Sequence, residues 1–160
     1  MAKKDKNAKK SAKPTYADAE LVLKLYDLRR EPELRRARQF VATEFWPKSA
    51  DDIVALINEF GSQKNAWYRQ ATTYWDMAAS LVVQGILNRE LFFEWASELF
   101  FVYAKFAPYL KELREKAGTP RAFWNIEKLI EGSPVAQERL AAMQRRIAMR
   151  AKAQAASGQK

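Results

Sequence analysis

The chain of 160 residues has no cysteine and no histidine. Without cysteine there are no disulfides, no thiolate zinc or iron–sulfur ligation and no thiol nucleophile, and nothing hints at an oxidising compartment. Without histidine the commonest general base near neutral pH is missing, along with Ser-His and Cys-His arrangements and imidazole metal ligation. Also lacking are an internal repeat, any convincing alternation of period two, and an apolar run after the lysines of "MAKKDKNAKKSAKPT" that would make a secretory signal. An intracellular, cytoplasmic location is expected.

What is there is enough for one domain with a proper core. The formal charge of +9 is unevenly placed. Residues 1–13 hold six Lys and one Asp, residues 139–160 hold six Lys or Arg and no acid, and the remainder has 16 basic against 18 acidic residues, a net −2. The basic character belongs to the tails.

Residues 1–14 read as a disordered basic tail, 15–150 as a helical domain, and 151–160 as a fraying basic end. Thr15 with Asp18 caps a helix through about Arg30, and Pro32 starts a second at its first turn, where a missing N–H costs nothing. "WPKS" at 46–49 stops that helix, and Ser49 with Asp52 caps a third, closed by Gly61. A fourth runs from about Ser62 to Leu87. Asn88 caps a fifth, Thr119 and Pro120 launch a sixth, and Gly132, Ser133 and Pro134 separate it from an Arg- and Ala-rich final helix. The expected architecture is an all-α, single-domain bundle of about six to seven helices around a central antiparallel pair rich in aromatics.

That pair begins with "RELFFEWASELFFVYAKFAPYLKELREK", Arg89 to Lys116. Wound as one continuous helix at roughly 100° per residue, it puts Glu94, Glu98, Lys105 and Glu112 within about 40° of one another, with rings and leucines over half the circumference opposite. A charge at mid-bilayer costs roughly 2.5 to 3.5 kcal/mol, so this is a core helix, not a membrane span. Pro108 should bend it. In the preceding helix Ala71, Ala78 and Gly85 recur every seventh residue, a spacing that invites close helix approach at Ala78 and Gly85.

Glu94 with Glu98 and Glu127 with Glu131 stand at helical spacing. A di-iron carboxylate site requires Glu-x-x-His motifs, so these acids are expected on solvated faces. No metal or cofactor is expected, and enzyme chemistry would be confined to acids, lysines or tyrosines. Arg29, Arg30, Arg35, Arg36 and Arg38 crowd a knuckle where they either pair with Asp27, Glu31 and Glu33 or hold an anion. Arg139, Arg146 and Arg150 share a face of the last helix beside Leu140, Met143 and Ile147, a seam that docks, dimerises or lies on an acidic surface. Phe101 falls inside the polar stripe, either covered or open to a partner. Glu44 falls within its helix's apolar arc and is expected to be partly buried against an arginine.

From "LVLKLYDLRREPELRRARQF" through "YWDMAASLVVQGILNRELFFEWASELFFVYAKFAPYLKELREK", about residues 20–131, the chain resembles a family of small helical bacterial proteins known only as a domain of unknown function. The resemblance implies an all-α fold in a bacterial cell and supplies no catalytic residues. The functional expectation is a non-enzymatic module that binds another protein. The alternative is a non-specific binder of nucleic acid or an anionic membrane surface, acting through the basic tails and the arginine knuckle. The oligomeric state is left open.

Overall fold

Thr15 opens α1 (Tyr16–Arg30) with a reciprocal cap: the Asp18 N–H donates to its hydroxyl at 3.2 Å, and the Thr15 N–H donates to the Asp18 carboxylate at 2.7 Å. The computed structural model describes residues 13–157, and within them every regular element is helical. The disorder expected of the tails lies, for residues 1–12 and 158–160, outside the described residues.

Pro32 begins α2 (Pro32–Gln39), which widens into a π turn over Phe40–Glu44 closed by the Phe45 N–H on the Phe40 carbonyl at 3.0 Å. Ser49 and Asp52 form the expected capping box of α3 (Ala50–Asn58). Next come α4 (Gln63–Val83), α5 (Arg89–Trp95) capped by Asn88, and α6 (Ser97–Phe106). A 3₁₀ turn over Ala107–Tyr109 leads to α7 (Leu110–Lys116), α8 (Trp124–Glu131) and α9 (Pro134–Ser157). With α5, α6 and α7 counted as one interrupted helix, the described residues form seven helices, within the six to seven expected.

The core is aromatic and continuous. Trp75, Phe92, Phe100 and Phe106 are fully buried, and an edge-to-face or tilted contact links most rings to a neighbour. The antiparallel pairing is carried by rings: Tyr68 meets Phe106 at 5.6 Å, and Trp75 meets Trp95 at 5.7 Å. The chains therefore run in opposite directions, with the large side chains interposed between the helices. Backbone neighbours of α4 are instead α2 and α8.

Four expectations are corrected. Gly85 makes no close helix approach: α4 ends at Val83, Gly85 takes the left-handed conformation at φ 72°, and a Cβ there would have nothing within 4 Å. Glycine is present for its backbone freedom. Thr119 and Pro120 do not launch α8. Its first N–H groups are held by Asp76 of α4, which accepts from the Asn125 and Ile126 amides at 2.9 and 3.2 Å. Glu44 is exposed and makes no ion pair among the described residues, because the wider π turn advances each residue by a smaller angle and slips it off the buried arc.

The fourth correction concerns the stripe on the long helix. Glu94 and Glu112 are exposed, but Glu98 is half-buried and Lys105 is buried. Continuous winding fails twice, at Ala96 (φ −87°, ψ 29°) and at the 3₁₀ turn around Pro108. Each break shifts the phase, and α1, α2 and the Phe45–Pro47 segment close over what would otherwise be a solvated face.

Candidate functional site

The arginine knuckle converges on Glu98, an acid outside it. Arg38 donates from Nε to Oε1 at 2.7 Å and from Nη2 to Oε2 at 2.5 Å, while Arg29 donates to Oε2 at 2.8 Å. The Trp75 indole adds a longer bond to Oε1 at 3.3 Å. Burial pushes the Glu98 carboxyl up, but the bonds and charges of Arg38 and Arg29 outweigh it and hold the group below the usual carboxylate range. Arg38 is in turn raised, chiefly by its bond to Glu98. Arg29 also lies over the Trp75 ring at 5.3 Å, and its buried Nε has no hydrogen-bond partner among the described residues. Two guanidinium groups share one carboxylate, leaving a surplus of positive charge at this junction.

The remaining knuckle arginines do less. Arg36 pairs with Glu33 at 2.9 Å on the surface, as an ordinary solvated pair. Arg35 donates to the Arg30 carbonyl at 3.0 Å, and both side chains are exposed. The knuckle is therefore a structural clamp through Arg29 and Arg38, and only its outer members face solvent.

Beside Glu98, α9 crosses α6 and encloses an open cleft of about 560 Å³ lined by Ser97, Phe101, Met143, Arg146, Ile147 and Arg150. Arg139, one turn after the start of α9, is taken up in docking: its Nη1 donates to the Phe93 carbonyl and its guanidinium lies over the Phe93 ring at 5.5 Å. Arg146 and Arg150 are exposed and make no ion pair among the described residues. Phe101 is half-buried, met edge-on by Trp46 at 6.0 Å.

Lys105 lies next to this cleft in an aromatic cage. Its ammonium sits 3.9 Å from the Trp46 ring centroid and 5.7 Å from that of Phe101, and it donates to the Val41 carbonyl in the π turn. No acid pairs with it among the described residues. Burial, with the Arg150 charge added, lowers its pKa to about 7. Sequence reasoning placed Lys105 on a solvated stripe and did not connect Glu98 to the knuckle. A lysine amid the otherwise apolar run Leu99–Ala107 was the available signal.

Along one face, α1 is tied down by long-range bonds. Asp18 accepts from the Asn88 N–H at 2.7 Å, the Leu25 carbonyl accepts from the Tyr74 hydroxyl at 2.6 Å, and the Arg29 carbonyl accepts from Arg38 at 3.2 Å. These clasps fix the rotation of α1, and Tyr16, Ala19, Leu23 and Tyr26 consequently point outward. Tyr16 is 92% exposed and Leu23 68%.

The fold and its partly buried arginine–glutamate junction define an all-α domain built around an aromatic core. The chain belongs to the family described as a domain of unknown function, DUF4760, which matches residues 14–133. No curated protein and no solved structure matched the chain. The matched span takes in α1 through α8, so α9 and its arginines follow the family region.

Proposed function

We propose that the domain is a non-enzymatic interaction module that receives a helix of another protein along the outer face of α1. The carrying observation is the exposed seam of Tyr16, Ala19, Leu23 and Tyr26, whose spacing of three, four and three residues is that of a helix–helix interface. On a helix already clamped from behind, a contiguous apolar strip of this kind marks a contact surface. The lack of cysteine suits the reducing cytoplasm of a bacterial cell. Among the described residues no helix is long and apolar enough to cross a membrane.

The test is a comparison of the proteins retained by wild type and by Leu23→Glu at low and high salt. Apolar helix contact predicts partners that persist at high salt and disappear with Leu23→Glu. Identical sets for both proteins would overturn the reading, and a concentration-dependent mass in light scattering would identify the partner as a second copy.

A second reading has its own support. Arg145, Arg146 and Arg150 of α9 are exposed without ion pairs among the described residues, and with the basic tails they suit a non-specific hold on nucleic acid or an anionic surface. Removal of residues 1–13 and 139–160 should then abolish DNA or vesicle binding, since the rest of the chain is slightly acidic.

A further inference from the structure

The cleft bounded by α3, α4 and the turn into α8 is lined by Tyr68, a largely buried residue whose hydroxyl has no hydrogen-bond partner among the described residues. We propose that it binds a small aromatic carboxylate. Its volume is about 430 Å³, and Ile57, Phe60, Tyr68 and Phe123 supply apolar walls. That size and lining suit a ligand of one ring and a short polar arm.

Tyr68 is only 5% exposed, its ring held edge-on by Phe45 at 6.2 Å and Phe106 at 5.6 Å. Its hydroxyl makes no hydrogen bond among the described residues, and it is not one of the sealed polar atoms, so it opens on the cleft. The other largely buried tyrosines behave differently: Tyr74 donates to the Leu25 carbonyl at 2.6 Å, and Tyr103 reaches Glu127 at 3.4 Å. A largely buried phenol ordinarily finds a partner in the protein, and this one is left free to donate to an acceptor that enters the cleft.

Charge at the rim selects an anion. Asp76 lines the cleft, but its oxygens are taken up by the Asn125 and Ile126 amides and the Asn125 side chain. Arg69 and Arg121 are exposed at the same rim and make no ion pair among the described residues. Arg121 leans toward the Trp124 ring at 5.9 Å, a contact that leaves its N–H groups available. A carboxylate would be met by these guanidinium groups and accept from the Tyr68 hydroxyl, while its ring lies against Phe60 and Phe123.

The wall is also held in a strained form. Phe123 has φ 58°, the only non-glycine residue with positive φ among the described residues. Left-handed backbone at a bulky residue is unfavourable by roughly 1 kcal/mol or more and persists where surrounding contacts impose it. Those contacts are visible: Arg114 grips the Ala122 carbonyl at 2.8 and 3.2 Å, and the Phe123 ring packs on Phe106 at 5.4 Å. The turn is thus braced to keep the cleft open beside Tyr68.

The experiment titrates the full chain with 3-phenylpropanoate and follows amide shifts by nuclear magnetic resonance, with uncharged 3-phenylpropanol as the comparison. Saturable shifts at Asp76, Thr73 and Phe123 are expected, weaker by about fivefold or more in Tyr68→Phe and in Arg121→Gln, as for loss of one hydrogen bond or one charge contact. Arg146→Gln, in the other cleft, should bind as wild type does, and the alcohol should bind far more weakly than the acid. No saturation by about 10 mM acid, shifts confined to α9, or equal affinity in Tyr68→Phe would overturn the proposal. Should Tyr68→Phe fail to fold, Arg121→Gln decides alone, and wild-type affinity there would overturn it as well.

Discussion

Arg38 grips Glu98 through a two-point fork across 60 residues of sequence, with both bonds between 2.5 and 2.7 Å. Arg29 reaches the same carboxylate at 2.8 Å. One acid therefore fastens the α1–α2 corner to α6. Removing the acid and removing one arginine should have unequal effects. Glu98→Gln leaves two guanidinium groups facing each other in a partly buried junction and should destabilise the fold by about 3 kcal/mol, whereas Arg29→Gln keeps the fork and should cost about half as much. Paired denaturation curves check this, and equal midpoints would contradict the geometry.

Lys105 should make the protein more stable as the pH rises above neutral. Its folded pKa is lowered to about 7, while an unfolded lysine titrates near 10.4, so between these values the unfolded chain binds more protons. Stability then increases with pH through that interval, with a slope of at most about 1.4 kcal/mol per pH unit. With no histidine or cysteine in the chain, few other groups titrate there. Tyr68 and Tyr74 reverse the trend only at higher pH, since burial raises both above an unfolded tyrosine near 10. Urea midpoints from pH 7 to 9 should climb in wild type and stay flat in Lys105→Met.

The two tyrosines of α4 should respond oppositely to loss of their hydroxyls. Tyr74→Phe strands the Leu25 carbonyl and should lower stability by about 1 kcal/mol. Tyr68→Phe removes a hydroxyl that bonds nothing among the described residues and should leave the melting temperature unchanged or raised. A comparable loss in both variants would mean that Tyr68 has a partner inside the fold.

At Gly85 the backbone, not space, should determine the effect of substitution. With φ at 72° and no atom within 4 Å of an added Cβ, Gly85→Ala should cost about 1 kcal/mol, and Gly85→Leu much the same. A much larger loss for leucine would restore the close helix contact that the heptad of small residues suggested.

Caps and stops were legible in the sequence because they depend on neighbours three or four residues away: Thr15 with Asp18, Ser49 with Asp52, and Asn88 all cap as their spacing indicates. The start of α8 was not, because its capping acid, Asp76, lies 49 residues earlier and makes no local pattern. The same holds for the site. Arg29 and Arg38 stood out by local density, but their partner Glu98 sat on a wheel drawn for an unbroken helix. A single non-helical residue at Ala96 and a 3₁₀ turn at Pro108 changed which side chains face inward. The Tyr68 cleft left no sequence signal, since a ring that packs and a hydroxyl that does not bond read alike as core.

The position of Lys105 above Trp46 has an optical consequence. An indole's excited state carries a large dipole, and a formal charge 3.9 Å from the ring centre shifts its emission energy when the charge appears or vanishes. In a variant that keeps Trp46 as the one indole of the chain's five, the emission therefore acts as an indicator dye for a single ammonium group in the interior, without any label. Its colour change would reveal, at each pH, the fraction of molecules in which that cage holds a cation.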